Sequence, residues 1–306
     1  MSGPQRSGGD GMSSTLQFTT DAAEFLAAAG DHLAADPVLS TVVTVNAHRP
    51  RTWPPGGPPW HFWWLVVRDA AGAVVGAGMR SAPEPPHPLF LLPMPDDAAV
   101  ALARALHGRG EETLAVHGAL PASQRCAGEL ARLTGGRAEV LIHSQLHELG
   151  ELVPPRPAPG RLAAVTGGDI DLVERWVAAF LGDADEQAGR RRGTGVHVLP
   201  DRAELLRRIG EGQYWFWLDG SGTPVSLAGA TAPVYGVARI APVYTPPDQR
   251  GHGWASNAVA EVSRRLQSAG ARVCLFTDQA NPTSNKIYAA LGYRPVVDMA
   301  NHVVVR

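Results

Sequence analysis

The sequence predicts a mixed α/β protein made of two tandem copies of one unit, each a mostly antiparallel sheet flanked by helices. Residues 64–72 align without gaps with residues 214–222, and the match resumes at residues 81–83 and 231–233. Each aligned segment contains an apolar strand, an Asp/Gly turn and a second strand, which is the pattern of a β-hairpin. A repeated hairpin with corresponding flanks indicates tandem duplication.

The segments around the two hairpins correspond as well. A short apolar strand precedes a helical pattern in both copies, at 16–20 and 21–35 and again at 161–166 and 170–181. After the hairpins, the periodicity and turn residues predict alternating strands and helices. In the first copy these lie at 89–92, 96–107, 113–116, 121–133 and 138–143. In the second they lie at 237–244, 255–269, 272–277 and 282–291, followed by a terminal pair of strands.

The domain boundary is predicted at residues 153–160, Val-Pro-Pro-Arg-Pro-Ala-Pro-Gly. Proline at this density is typical of a stiff linker. We therefore expect a first domain over residues 15–152 and a second over residues 161–306. Residues 1–14 are rich in Gly and Ser and lack the apolar centre of a signal peptide, so we expect a disordered tail.

Composition narrows the class of protein. Of 306 residues, 44% are hydrophobic and 18% are charged, which is enough apolar material for a sizeable core. The net charge of -2 gives no reason to expect nucleic-acid binding. Cys126 and Cys274 are isolated, as in a reduced cytosolic protein. Because no apolar run reaches membrane length, we expect a cytoplasmic protein that does not bind membranes, with an oligomer possible.

A glycine-rich turn precedes the predicted helix at 255–269. Gly251 and Gly253 leave backbone N–H groups unshielded at the positive end of the helix dipole, an arrangement that can hold a phosphate or pyrophosphate. The first copy has Pro93-Met94-Pro95-Asp96-Asp97 at the equivalent place. Proline lacks the N–H that anion capture needs and aspartates repel an anion, so we expect this copy to be degenerate and inactive.

Two motifs of the second copy resemble the signatures of the GNAT superfamily of acetyl-CoA-dependent N-acetyltransferases. Arg250-Gly251-His252-Gly253-Trp254-Ala255 fits the loop pattern Gln/Arg-x-x-Gly-x-Gly/Ala. Asn281, followed by Tyr288 and then Leu291-Gly292-Tyr293, fits the second pattern, in which an Asn opens a helix that carries a Tyr. Each motif follows a predicted strand. The resemblance covers residues 161–306 and extends more faintly into the first copy.

The resemblance implies two tandem GNAT-like domains, of which residues 161–306 are catalytic, and acetyl-CoA as cosubstrate. The pyrophosphate would be held by the loop residues Arg250, Gly251, His252, Gly253, Trp254, Ala255 and Ser256. An extended pantetheine arm can pair with a strand edge as an added strand, and the residues expected to hold it are Val243, Tyr244 and Thr245. Pro242 suits the bulge that splays two parallel strands in this family. Further cofactor contacts are expected at Asn281, Ser284 and Lys286, although a solvated helix face is an equal alternative for Lys286.

Tyr288 is the candidate general acid. A departing CoA thiolate, with a thiol pKa of about 8.5, gains from a nearby proton donor, and the family assigns this task to the matching Tyr. The alternative is a Tyr that only packs in the core. For the general base, residues 237–244 contain no carboxylate, so Asp278 is the candidate. Asp278 as a loop or helix-capping residue is an alternative, and a water chain or an amine of low pKa could replace the base.

The predicted function is transfer of an acetyl group from acetyl-CoA to an amine of a small molecule or peptide. The first copy would help form the acceptor site. A non-catalytic acyl-CoA sensor or scaffold is the alternative, and a mycothiol-synthase-like enzyme shares the length and the duplication. His143 and His147 have helical metal-ligand spacing but no third ligand, so no metal is expected. The segment 53–59 is expected to form a loop that could shape the acceptor cleft.

Overall fold

The computed structural model describes residues 14–49, 62–81, 88–191 and 199–306. The loop expected at 53–59, the end of the first repeat at 82–83 and nearly all of the predicted tail at 1–14 lie outside the described residues. The predictions for those segments stay predictions.

The described elements of the first half follow the predicted order. They are β1 (Thr15–Thr19), α1 (Ala22–Ala35), α2 (Thr41–His48), β2 (Trp63–Arg68), β3 (Val74–Arg80), β4 (Leu89–Leu91), α3 (Asp96–Gly108), β5 (Ala115–Ala119), α4 (Ala122–Thr134) and β6 (Arg137–Leu149). The second half comprises β7 (Arg161–Ala164), α5 (Ile170–Gln187), α6 (Arg202–Gly210), β8 (Tyr214–Leu218), β9 (Pro224–Ala230), β10 (Val237–Tyr244), α7 (Trp254–Ser268), β11 (Arg272–Asp278), α8 (Pro282–Ala290) and β12 (Tyr293–Val305). The predicted terminal pair of strands is wrong, because β12 is one long strand. Pro295 does not end it, since the ladder with β6 absorbs this region in a register shift between Pro295 and Val297.

The two hairpins are structurally equivalent. In the turn of β2–β3, the Asp69 carboxylate accepts hydrogen bonds from the amides of Ala71 and Ala73. In the turn of β8–β9, the Asp219 carboxylate does the same for Ser221 and Thr223. Both hairpins also shift register at the same aligned place, between Val67 and Arg68 and between Trp217 and Leu218. The duplication seen in the sequence is therefore present in the backbone.

One continuous sheet joins the two halves. Its twelve strands run in the order β1-β2-β3-β4-β5-β12-β6-β11-β10-β9-β8-β7. The parallel pairs are β4–β5 and β10–β11, and the other pairs are antiparallel. The last strand of each half has changed places, so that β12 pairs with β5 and β6 pairs with β11. The class is mixed α/β as predicted, but the sheets of the two units are fused, and the boundary at 153–160 remains a proposal.

Helices cover both faces of this sheet. On one face, α3 and α4 pack over the first half and α7 and α8 over the second. On the opposite face, α5 and α6 pack over β8 and β9. There, Phe25 and Leu33 of α1 share a cluster with Val237 of β10 and Cys274 of β11. Helix α1 of the first half is thus placed beside the strands that carry the candidate site. Within the described ranges, each helix is too short or too polar to cross a membrane.

Candidate functional site

Strands β10 and β11 form a wedge. They pair in parallel from Val237 opposite Arg272 to Arg239 opposite Cys274, and the pairing stops there although both strands, described throughout, continue. On its other edge β10 stays paired with β9, with a register shift between Ile240 and Val243 that contains Pro242. The bulge expected at Pro242 is therefore present. Beyond Arg239, the edge of β10 that faces β11 has no strand partner in the described chain.

The equivalent strands of the first half do not separate. The parallel pairing of β4 with β5 continues to Leu91 opposite Gly118, the last residue of β4. A Cβ atom on Gly118 would lie 2.1 Å from the Leu91 carbonyl oxygen, so only glycine fits between the strands. Met94, which follows β4, packs where a Cβ on Gly76 would meet it at 2.5 Å. Close packing thus adds an obstacle to cofactor binding here that is independent of the prolines and aspartates.

The loop after β10 presents main-chain donors at the start of α7. Gly251 and Gly253 have φ values of 83° and 80°, which side-chain-bearing residues rarely adopt. The first helical bond of α7 runs from the Asn257 amide to the Gly253 carbonyl, at 3.1 Å. Among the described residues, no acceptor pairs with the amides from Gly251 to Ser256. Unpaired donors at the positive end of a helix are suited to a pyrophosphate.

Asn257 fixes this loop to the proline-rich segment that precedes β7. Its side-chain amide nitrogen donates to the carbonyls of Arg156 and Gly253, each at 3.0 Å. Its side-chain oxygen accepts from the Ala158 amide at 3.4 Å. Sequence reasoning missed Asn257, and the only available signal was a polar side chain in the first turn of the helix.

The guanidinium of Arg250 is directed at the protein. Its Nη2 lies 2.6 Å from the carboxylate of Asp183 on α5, and its Nε donates to the Thr245 carbonyl at 3.1 Å. Asp183 is buried, which favours an ion pair that holds the loop against α5. The side chain of Arg250 is therefore placed to brace the loop, and sequence reasoning gave no indication of Asp183.

The remaining loop residues differ in exposure. The His252 ring is exposed and stacks on Trp254, with ring centroids 5.5 Å apart and planes at 14°. Trp254 also packs against the core cluster beneath α7. Ala255 and Ser256 are half-buried in the first turn of that helix.

The side chains at the end of β10 are fixed by neighbouring elements. Val243 packs on the α7 side of the sheet, and Tyr244 is buried beside Trp176 of α5. The Thr245 hydroxyl donates to the hydroxyl of Ser226 at 2.9 Å, and Ser226 donates to the Tyr244 carbonyl. These contacts orient the strand, so what it offers to a ligand in the wedge is its main chain.

Helix α8 begins as predicted. Asn281 is buried, and its side-chain oxygen accepts from the Ser284 amide at 3.1 Å, which caps the helix. Its Nδ2 donates to Gln187 at the end of α5. Lys286 is exposed and Ser284 is half-buried. The cap therefore ties α8 to α5 across the end of β11.

Tyr288 is half-buried on α8, with its ring 5.8 Å from that of Tyr293. Its hydroxyl makes no hydrogen bond to the described residues. Burial raises the pKa of Tyr288 to about 12, because the phenolate form would lose its hydration. The phenol is therefore protonated at neutral pH and can donate a proton.

Asp278 is engaged in an ion pair. Its Oδ2 lies 2.6 Å from Nη1 of Arg190, and its Oδ1 accepts from the Ala280 amide at 2.9 Å. Arg190 also contacts Asp185 at 3.3 Å. Both carboxylate oxygens of Asp278 are therefore engaged by the protein. Its role as general base stays a prediction, and sequence reasoning missed Arg190.

Two surface cavities lie away from this site. One, of about 480 Å³, is in the first half and is lined by Phe18, Thr19, Thr20, Phe62, Trp63, Arg109 and Glu111. The other, of about 550 Å³, lies between α4 and the ends of β6 and β12. None of the predicted site residues lines either cavity.

Comparison with known proteins agrees with this geometry. The profile of the family described as FR47-like protein, a GNAT-related family, matches residues 221–302. That range contains the wedge, the glycine loop and α8. No protein of curated function matches the sequence.

Several solved structures are similar over almost the whole chain. A tandem GNAT protein from the clavulanic acid biosynthesis pathway is 16% identical, with a TM-score of 0.55 over 95% of this chain and 98% of that one. A GCN5-related N-acetyltransferase from Sphaerobacter thermophilus is 17% identical, with a TM-score of 0.54 over 94% of each chain. A third, from Kribbella flavida, is 18% identical, with a TM-score of 0.54 over 90% of this chain and 96% of that one.

These likenesses concern the fold of the protein. The chain has the fold of the tandem GNAT proteins, and the resemblance predicted from the two motifs is confirmed at the level of the fold.

Proposed function

We propose that the protein is an N-acetyltransferase that moves the acetyl group of acetyl-CoA to an amine on a small molecule or peptide. The observation that carries the proposal is the wedge between β10 and β11, which ends in a loop of unpaired amides. The first half has the same strands and no wedge, so the opening is a specific feature of the second half.

The residues fit an extended CoA thioester. The amides from Gly251 to Ser256 would hold the pyrophosphate, and the free edge of β10 from Val243 to Thr245 would pair with the pantetheine amides. Asn281 would keep the start of α8 in place against α5. Acetyl-CoA supplies the activated acetyl group. Holding both ends of this molecule would leave the thioester in the wedge, where an amine can approach.

Tyr288 would protonate the leaving thiolate. The amine nitrogen forms a bond to the acetyl carbon, the carbon–sulfur bond breaks, and the phenol proton passes to sulfur. The raised pKa of Tyr288 keeps that proton available at neutral pH. The amine must also lose a proton. Because the Asp278 carboxylate is occupied by Arg190, water would accept this proton and return it to the Tyr288 phenolate, which restores the general acid.

The first copy would supply a wall of the acceptor site. Arg49, which follows α2, forms an ion pair with Glu204 of α6 at 2.5 Å. His48 packs edge-on against Tyr235, with ring centroids 5.3 Å apart. Together with the packing of α1 on β10 and β11, these contacts support a cleft bounded by both halves.

Calorimetric titration with acetyl-CoA, followed by measurement of CoA released with a panel of amines, tests the proposal. We expect binding with one site per chain and CoA release that depends on the amine. A protein that fails to bind acetyl-CoA would refute the proposal at its first step.

A non-catalytic acyl-CoA sensor is the second candidate. It is favoured by the lack of a carboxylate on β10 and by the engagement of Asp278 with Arg190. Tight binding of acetyl-CoA without CoA release on any amine would support the sensor and contradict the enzyme.

A further inference from the structure

The guanidinium of Arg239 forms no ion pair with the described residues. It lies on β10, and its Nη1 is buried without a hydrogen-bond partner among the described residues. The guanidinium carbon lies 5.9 Å from the centre of the Phe276 ring on β11. Burial lowers the pKa of Arg239, and the charge of Arg208 adds to this effect. Because arginine stays protonated at neutral pH even so, the positive charge of this half-buried side chain is left uncompensated by the described residues.

Arg239 lies at the vertex of the wedge, the point at which β10 and β11 begin to separate. Its backbone forms the last parallel pair with Cys274 before β10 and β11 separate. Phe276 and Val237 belong to the cluster beneath α1 and α2, which places the Arg239 side chain on that face of the sheet. This is the face on which the first half bounds the cleft.

A second arginine lies beside it. Arg208 of α6 donates to the side-chain oxygen of Gln213 at 3.1 Å and to the Ala241 carbonyl at 3.4 Å. Its guanidinium lies 4.7 Å from the centre of the Tyr214 ring. Both hydrogen-bond partners are neutral. Glu204 of the same helix also acts on the charge of Arg208, but that carboxylate is paired with Arg49 and Arg207.

The carboxylates of Glu148, Glu204 and Asp278 on the adjoining elements form ion pairs with other arginines. Glu148 of β6 forms a bidentate pair with Arg272, at 2.6 and 2.9 Å. Glu204 of α6 contacts Arg49 and Arg207. Asp278 is held by Arg190, as described above. Within the described residues, the protein supplies no anion to Arg239.

A buried charge without a partner is costly, and the cost is removed when an anion binds. A guanidinium forms a fork of parallel hydrogen bonds that matches a carboxylate. We propose that Arg239 binds a carboxylate of the acceptor, so that the acceptor is a small molecule bearing both an amine and a carboxylate, as a free amino acid does. The inference rests on the proposed function, since it assigns the acceptor of that same site.

The geometry gives this carboxylate a role in orientation. Arg239 lies where the strands part, and the thioester would lie in the opening just beyond it. A carboxylate held at Arg239 directs the neighbouring amine of the same molecule into the wedge. Arg239 is thus a specificity-determining residue, and the proton transfers do not involve it.

The first experiment compares matched acceptors. The kcat/KM for CoA release is measured with each common amino acid and with its decarboxylated amine, in wild type, Arg239→Gln and Arg175→Gln. Arg175 is exposed on α5 and serves as the control. We expect wild type to prefer the carboxylated member of at least one pair. In Arg239→Gln, kcat/KM should fall by about 10- to 100-fold with that amino acid, as expected for loss of a charged hydrogen bond, and should change little with the decarboxylated amine. Arg175→Gln should match wild type with both.

The second experiment needs no turnover, so it decides the inference even if no amine releases CoA. The Tm of CoA-loaded protein is measured with N-acetyl amino acids and with the matching N-acetyl amines. The carboxylated compounds should raise the Tm of wild type and leave that of Arg239→Met unchanged. Without ligand, Arg239→Met should have the higher Tm of the two proteins, because it removes an unpaired buried charge.

Five results would overturn the inference. Three concern binding and turnover: an equal loss of kcat/KM on both members of the pairs, a loss of acetyl-CoA affinity in Arg239→Gln, and a preference for O-phosphoethanolamine over the amino acids. The other two are no Tm shift of wild type by any carboxylated compound, and a lower Tm of ligand-free Arg239→Met than of wild type, which would indicate a structural role.

Discussion

At the scale of single residues, a few positions have a backbone or a charge state that only one residue type provides. Gly251 and Gly253 have positive φ values, yet a Cβ at Gly251 would meet nothing within 4 Å. The glycines are therefore needed for the path of the main chain and not for lack of space. Motif spacing found these residues, whereas it could not find Asp183, Arg190 or Gln187, because contacts between distant side chains leave no local pattern.

Gly251→Ala tests the loop against a matched control. Gly270 has a φ of 84°, also with open space around it, at the far end of α7. Both Gly251→Ala and Gly270→Ala should lower the free energy of unfolding by about 1–2 kcal/mol through backbone strain. Only Gly251→Ala should weaken acetyl-CoA binding, by roughly tenfold or more in Kd, since it alone displaces the donor amides. Equal affinities of the two variants in calorimetry would remove the loop from the binding site.

Tyr288→Phe should reduce kcat by about 100-fold or more and leave the Kd for acetyl-CoA unchanged, because a general acid contributes on that scale. Steady-state CoA release and calorimetry measure the two quantities. An unchanged kcat would leave Tyr288 as a packing residue. The neighbouring Tyr293, whose hydroxyl is 2.8 Å from that of Ser263, offers Tyr293→Phe as a comparison away from the proton transfer.

The pH dependence of stability gives a second check on Tyr288. Its pKa of about 12 in the folded protein exceeds the value of about 10 for an unfolded chain. The folded state therefore keeps the proton longer, and this contribution to stability is full below pH 10 and is lost as the pH rises towards 12. The free energy of unfolding should fall less steeply over that range in Tyr288→Phe than in wild type. Denaturant titrations at a series of pH values measure this dependence. An identical fall of the free energy of unfolding with pH in both proteins would contradict the raised pKa.

At the scale of elements, the two halves use equivalent strand pairs in opposite ways. The β10–β11 pair separates after three residue pairs, while β4–β5 stays together to the end of β4. The hairpins and most of the helices could be predicted, because turn chemistry and hydrophobic period are local. The bulge at Pro242 was implied by the resemblance to the family. The β4–β5 pair stays closed because Gly118 fits against Leu91, and this contact has no local sequence signal. The only indication in the sequence of the first half was the group of prolines and aspartates after β4.

Gly118→Ala should separate β4 from β5. The new methyl group would overlap the Leu91 carbonyl, and overpacking with strain costs about 2–4 kcal/mol of unfolding free energy. Gly108→Ala at the end of α3, with open space and no positive φ, is the control and should be close to neutral. Chemical denaturation measures both. We expect the folded Gly118→Ala protein to bind acetyl-CoA as wild type does, and weakened binding would show that the first half contributes to the cofactor site.

At the scale of the whole molecule, the exchange of β6 and β12 makes one sheet of two units. Sequence reasoning placed a strand at the end of the first copy but wrongly predicted a pair of strands at the end of the second, and it could not assign partners. The side-chain pattern within one strand does not identify its neighbour, because pairing depends on the complete chain. The predicted division into residues 15–152 and 161–306 was placed at the proline-rich segment between them. The hydrogen bonds of the central strands join residues on either side of that segment.

Separate expression of the halves tests this dependence. Residues 161–306 alone would leave the edge of β11 unpaired and β12 without either neighbour, so we expect aggregation or dimer formation. Co-expression with residues 1–152 should restore a monomer-sized complex that binds acetyl-CoA. Size-exclusion chromatography and calorimetry measure both properties. A stable, monomeric fragment 161–306 with the affinity of the full chain would contradict a structural need for the exchange.

The exchanged strands also bear on the history of the protein. A gene duplication usually leaves one copy free to be deleted once its chemistry has decayed. Here the first copy holds the final strand of the second, and removing it would leave that strand without either neighbour. If the first copy is inactive, as predicted, it would be retained as scaffold, and natural selection could reshape its helices into new contacts with substrates without being able to discard it.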